Sequence, residues 1–334
     1  MRADLQIPVP ARARIGAILC RSPLAGGMIL GMLVVGSLLV GATGIGLSNL
    51  MNDPDARAIF LISRLPRTAA LLLAGASSAI MGAIVQRLVS NRFVEPSTMG
   101  TVDSASLGLL IGLLFLPEAP PMVRMCIAAL SAWIGTALFV LLLRAVPLRS
   151  PLMPPLLGIA FGGIIGSATS FIAYRYDLMQ SLFSWTSADF SVVLSGRYEL
   201  LYIAAGITAL GWFAADRFTL AGLGDDVARG LGLNPTAILA LGISIVAAVT
   251  GAIVVTVGFI PFLGLVVPNL IARWRGDNLR RALPLVAWLG ASVTLACDIF
   301  GRLAFYPYDL PIGVTMGVLG AFVFLWLLLN RFAR

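Results

Sequence analysis

The chain of 334 residues has no lysine and no histidine; its 23 basic residues are all arginine, and charged residues make up only 11% of it. Without histidine there is no imidazole metal site, no imidazole proton relay and no Ser-His hydrolase. Without lysine there is no Schiff-base chemistry. The three cysteines, Cys20, Cys126 and Cys297, are far apart and lack ligand spacing, so they read as inert thiols. No metal and no cofactor is expected. The formal charge of +8 comes from arginines scattered among short loops, a pattern that does not suit a nucleic-acid groove. No cluster of carboxylates marks a catalytic centre, which argues against an enzyme.

What is abundant is apolar sequence. At 59% hydrophobic, the chain is far more apolar than a soluble domain, which is about 45–50% apolar. It reads as a polytopic, all-α membrane protein forming one domain over 1–334, with no stretch polar enough to fold separately. A span needs about 20 mainly apolar residues. Ten candidates are expected at 24–47, 67–89, 98–115, 123–146, 153–174, 200–219, 236–257, 262–274, 283–300 and 311–330. The first, preceded by Arg2, Arg12, Arg14 and Arg21, reads as an uncleaved span. The segment 176–199, with Asp177, Asp189 and Arg197, is assigned to a membrane face.

Most of the arginines fall in alternate loops. That bias orients both termini inside and leaves Arg64, Arg67 and Arg302 outside. Ten spans divide into two halves of five, which are then inverted relative to each other. Gly82-Ala83-Ile84-Val85 in span two recurs as Gly251-Ala252-Ile253-Val254 in span seven, a weak echo of such a repeat. Apart from Asp298 and Asp103, no ionisable residue is expected within a span. That sparsity favours an external energy source over an ion-coupled carrier acting alone. Asp103, near the start of span three, reads as a helix cap.

Between spans six and seven lies 221–235, with Asp225, Asp226, Val227, Ala228, Arg229, Leu231 and Gly232. Gly224 can open a short helix, the two aspartates favour its first turn, and Gly230 and Gly232 can end it. Val227 and Leu231 share a face at i and i+4. Asn234-Pro235 then reads as an N-cap with proline at N1. A helix this short is marginal by itself, so it is expected to pack on something.

Seven passages, in order, resemble the iron-chelate and cobalamin class of ABC importer permeases, the FecCD family. They are Arg64-Leu65-Pro66-Arg67-Thr68; Asn91-Arg92-Phe93-Val94-Glu95-Pro96 with Gly100; 224–232; Gly258 to Asn269; Arg280-Arg281; Asp298 with Arg302; and Leu310 to Val314. The resemblance implies a permease subunit of the bacterial inner membrane. It would pair with a second permease, identical or paralogous, above a cytoplasmic ABC ATPase dimer, and receive a ferric chelate from a periplasmic binding protein. By the same resemblance 221–235 is the coupling helix, with Val227, Ala228 and Leu231 as apolar contacts and Asp225, Asp226 and Arg229 as the polar rim. Arg64, Arg67 and Arg302 would dock carboxylates of the binding protein. As readings of the residues alone, headgroup anchoring and an Asp298–Arg302 ion pair are the structural alternatives.

Glu95, Pro96, Pro268 and Asn269 are candidates for the pathway or its gate. Asn269 stands where most of the family has histidine, which together with 276–281 looks more like the catecholate ferric-siderophore branch than the cobalamin one. Ser104, Ser106, Ser167, Thr169 and Ser170 are candidates for a weakly polar lining, although small residues also simply let helices approach. Haem or cobalamin remains the alternative cargo, and an ion-coupled secondary transporter the alternative class.

Overall fold

A computed structural model describes residues 23–40, 53–146, 153–196, 198–222, 224–276, 278–304, 306 and 308–332. Within these the chain is helical throughout, with no strand. Six helices are long and apolar enough to cross a membrane: α2 (Pro54–Leu88), α4 (Pro121–Ala145), α5 (Met153–Arg175), α10 (Pro235–Val257), α12 (Leu279–Ala304) and α13 (Ile312–Phe332). Four shorter apolar helices complete the expected ten: α1 (Pro23–Leu39), α3 (Thr101–Phe115), α7 (Leu200–Phe213) and α11 (Leu263–Arg275). Three further short helices lie between them, α6 (Met179–Thr186), α8 (Ala215–Ala221) and α9 (Asp225–Gly230). The expected extension of the first span to residue 47 and the expected Arg197 fall outside the described residues.

Local chemistry fixes the ends. The Asn234 side chain accepts from the backbone N–H groups of Thr236 and Ala237 (3.1 and 3.2 Å), and Pro235 follows at N1, which starts α10 as the sequence suggests. Asp53 does the same for α2, accepting from the Asp55 N–H at 3.0 Å. Five residues of α2, Phe60–Arg64, form a π-turn, a widening of the helix that turns Arg64 inward.

The centre of the molecule is the pair α2 and α10, the two most heavily buried of the six long helices. They pack on each other. α2 also packs along α12, and α10 packs along α4. Numbered as spans, two lies on nine as seven lies on four, the relation expected of two inverted halves of five. Both four-residue echoes, Gly82 to Val85 and Gly251 to Val254, are fully buried in this central pair.

Small residues set the spacing. A Cβ added at Gly82 would lie 1.9 Å from the Gly264 carbonyl oxygen, so α2 and α11 touch backbone to backbone. Between α2 and α12, the Thr294 hydroxyl lies in the space beside Gly75 and reaches the Leu71 carbonyl at 3.3 Å. Such contacts replace the hydrophobic drive that lipid does not supply. By contrast α5 and α13 turn most of their apolar surface outward, including Ile159, Ile164 and Phe171 on α5 and Phe322 and Leu329 on α13.

The two halves share one more device. α2 is followed by an irregular loop, residues 89–100, before α3; α10 is followed by 258–262 before α11. Each loop turns into its short helix through a residue with positive φ, Gly100 at 71° and Phe262 at 60°. α3 and α11 are spans three and eight, counterparts under the inverted division.

Candidate functional sites

The first site is the arginine cluster at one end of α2 and α12. The three arginines expected on the outer face are drawn together, but inward. Arg64 is buried and donates from Nη1 to the carbonyls of Leu38 and Leu39 (2.9 and 3.2 Å). Arg302, also buried, donates from Nη1 to the carbonyls of Ser37 and Val40 (2.9 and 2.6 Å) and from Nη2 to the Ser37 hydroxyl (2.9 Å) and to Asp298. These are the last carbonyls of α1, which have no partner within their own helix. Two cations also suit the negative end of the helix dipole.

Arg67 donates from Nε and Nη2 to Asp298 Oδ1 (3.1 and 2.8 Å) and from Nη1 to Asp309 Oδ2 (2.7 Å). The Asp298–Arg302 ion pair at i,i+4 is present. Asp298 therefore bridges two guanidinium groups with its own side chain wholly buried. Solvent-facing guanidinium groups were expected; instead the backbone demand of α1 and the buried Asp298 occupy them. Asp309 was missed, because nothing local ties it to Arg67, 242 positions away.

The second site joins the two irregular loops. Glu95 is buried, and its Oε1 accepts from the Ser97 hydroxyl (2.7 Å) and from the Phe262 N–H (3.3 Å). Phe262 has no side-chain cap for α11, so Glu95, from the other half, serves as one. Pro96 closes the turn before α3 by accepting from the N–H groups of Met99 and Thr101 (3.4 and 3.2 Å).

Pro268 lies inside α11 and has no N–H for the carbonyl four residues earlier, that of Gly264. Gln86 of α2 fills the gap, donating to that carbonyl at 3.2 Å. Asn269 donates from one amide nitrogen to the Leu265 carbonyl (2.8 Å) and to the Arg92 carbonyl (2.7 Å). The four residues named from sequence thus meet in one structure tying 89–100 to α11. Gln86, the donor that makes Pro268 tolerable, was missed. The signal was there: a proline inside a helix leaves one orphan carbonyl that some donor must meet.

The third site is α9. The helix runs over Asp225–Gly230 as expected, bounded by Gly224 (φ 109°) and Gly232 (φ 75°). Leu231 is exposed, the Asp226 side chain is fully exposed, and Arg229 reaches Asp226 at 3.8 Å. The side chains of Asp225 and Val227 lie outside the described set. Ala228 is a correction: it was expected to face outward with Leu231, but it is fully buried. The Leu233 N–H returns to the Ala228 carbonyl at 3.0 Å, folding the end of the helix back on its own chain. Nearby, Arg280 of α12 pairs with Asp216 of α8.

Among the expected lining residues, Ser104 donates to the Gly100 carbonyl (2.7 Å) and Thr169 to the Ile165 carbonyl (2.8 Å), both buried. Ser106 is buried, Ser170 is partly buried and Ser167 is exposed on α5. Among the described residues no group of three or more His, Cys, Asp or Glu could hold a metal ion.

The chain is 42% identical to the petrobactin import system permease protein YclN of Bacillus subtilis, over 84% of this chain and 89% of that one. It is 38% identical to the ferric-anguibactin transport system permease protein FatD of Vibrio anguillarum, over 81% of this chain and 86% of that one. A solved structure of a metal-chelate type ABC transporter in an inward-facing conformation superposes with a TM-score of 0.78 at 22% identity, covering 92% of this chain and 98% of the other. That likeness carries the fold, and the family model for the FecCD transport family matches residues 29–330. The family model over most of the chain and the identities to these permeases lead to one conclusion: the chain belongs to the FecCD transport family.

Proposed function

We propose that this chain is the membrane subunit of an importer that moves a ferric siderophore across the bacterial inner membrane, driven by a separate ABC ATPase. The observation that carries the reading is the identity of 42% and 38% to permeases for petrobactin and ferric anguibactin, spread over most of each chain. The chain itself performs no chemistry. A second permease subunit, identical or paralogous, completes the pathway, and a periplasmic binding protein delivers the cargo. Both termini face the cytoplasm, and the whole chain acts as one permease domain.

The exposed Leu231, with Arg229 and Asp226 beside it, makes α9 the contact for the ATPase. An apolar anchor with a charged rim is a common helix-in-groove arrangement. Of the three arginines, Arg67 is the docking candidate for the binding protein. It pairs with Asp309, whose side chain is 30% exposed, so a carboxylate from outside can compete for it. Arg64 and Arg302 are engaged in holding α1.

The test is uptake of ferric siderophores into proteoliposomes holding the permease with its ATPase and binding protein. Leu231→Asp is expected to abolish uptake and ATPase co-purification while the permease still assembles. Normal co-purification of this variant would remove α9 from the coupling role. Uptake of haem or cobalamin, with none of any siderophore, would overturn the cargo assignment.

A further inference from the structure

Asp103 lies in the first turn of α3, the short helix that begins after the 89–100 loop. It faces Gly162 and Gly166, half-way along the membrane-length helix α5. A Cβ at Gly162 would come within 2.6 Å of one carboxylate oxygen, and one at Gly166 within 3.3 Å of the other. Two glycines one turn apart thus open a notch in α5 that the carboxylate fills. The sequence places this aspartate near a helix end; the structure places it at mid-span depth.

Beside the carboxylate is a cavity of about 230 Å³ between α3, α5 and α6. Ser106, Thr169, Ser170 and Thr186 bring hydroxyl groups to it, and Phe183 and Thr186, both exposed on α6, flank it on the third side. No arginine is among the lining residues, so no side-chain cation there balances Asp103. Thr169 and Thr186 spend their hydrogens on backbone carbonyls of their own helices, leaving oxygen lone pairs for a ligand. The Ser106 hydroxyl, in a residue only 3% exposed, has no hydrogen-bond partner at all. A buried hydroxyl without a partner is uncommon enough to call for an explanation.

We propose that this cavity binds a monovalent inorganic cation of sodium size, held by the Asp103 carboxylate and the hydroxyl oxygens of Ser106 and Thr169, with part of its water retained. One carboxylate among neutral oxygens suits a hard monovalent cation. The N-terminus of α3 offsets a fraction of the aspartate charge, which makes the site too weakly negative for a divalent ion. The bound ion would tie α5, through Thr169, to α3, whatever chelate the protein carries.

The test uses the purified full chain in detergent, with radioactive sodium in a scintillation proximity assay and choline as the ionic-strength control. Saturable sodium binding is expected, lost in Asp103→Asn and weakened severalfold in Ser106→Ala. The Ser106→Ala change removes one atom and leaves the fold intact, so it reports even if the aspartate variant is unstable. Absence of saturable binding in the unmodified chain overturns the proposal, as does undiminished binding in both variants. A thermal midpoint that follows pH but not sodium overturns it as well, because the carboxylate then carries a proton. ATP-driven uptake is measured separately, so its failure or success leaves this result readable.

Discussion

Asp298 and Asp309 both pair with Arg67, yet their removal is expected to have very different effects. Asp298 is wholly buried and bridges Arg67 and Arg302, whereas Asp309 touches Arg67 from a side chain 30% exposed. Arg67, Arg302, Asp298 and Asp309 sum to zero charge. Asp298→Asn leaves two buried guanidinium groups with their shared anion gone. Breaking a buried pair in this way costs about 3–5 kcal/mol, most of it the desolvation of the charge left behind. Asp309→Asn removes one partly exposed contact, worth about 0.2–1 kcal/mol, and Arg67 keeps Asp298. Equilibrium unfolding of the purified chain in mixed micelles, titrated with sodium dodecyl sulfate, measures both variants on one scale. Protease nicking between α1 and α2 gives a second readout, because the Arg302 geometry that holds the last carbonyls of α1 depends on Asp298. The expected result is an Asp298→Asn cost at least threefold that of Asp309→Asn, with early loss of α1 protection. Equal costs would refute the bridging argument. Unchanged stability in Asp298→Asn, with a selective loss of binding-protein stimulation, would restore all three arginines to a docking role.

Two further outcomes follow from backbone contacts. Gly82→Ala puts a methyl group on the Gly264 carbonyl and is expected to lower stability by about 1–3 kcal/mol, as overpacking does, measured by the same titration. Gly27, where an added Cβ meets nothing within 4 Å, serves as the neutral control. Glu95→Ala removes the cap of α11 and leaves the Phe262 N–H unmet, which is expected to cost about 1–2 kcal/mol. Hydrogen exchange should then rise at the start of α11 and not at α13.

Most of the fold was legible because lipid solvation imposes long apolar runs. Each expected span contains an apolar helix, although the sixth, 200–219, divides at Ala214 into α7 and α8, and the first turns of α10 and α9 follow from Asn234-Pro235 and from Gly224. Burial of charge was not legible. Arg64 and Arg67 look alike in an Arg-Leu-Pro-Arg sequence, and only the π-turn at Phe60–Arg64 and the ends of α1 decide which is consumed by carbonyls. Ala228 defeated the pattern for a related reason. A six-residue helix has too little length for its apolar positions to define a face, and its end folds back through the Leu233 N–H on the Ala228 carbonyl. Asp103 reads as a cap from sequence because its position along α3 is visible there. Its depth depends on how far the 89–100 loop dips between helices, which depends in turn on Gly162 and Gly166, some sixty residues away.

Two of the shorter helices, those that follow the irregular loops, have a consequence for biogenesis. α3 and α11, at 15 and 13 residues, extend about 20 Å, well short of a hydrocarbon core of about 30 Å. Neither can settle in a bilayer alone, since its loop would leave bare backbone polar groups in lipid. Each has to enter beside the long helix that precedes it. In the first loop the Glu95 carboxylate has only the Ser97 hydroxyl as a side-chain partner until α11 emerges, and the Phe262 N–H joins it from more than 160 residues later. During synthesis the N-terminal half is therefore an incomplete object in the membrane, waiting for its mirror image before its interior is closed.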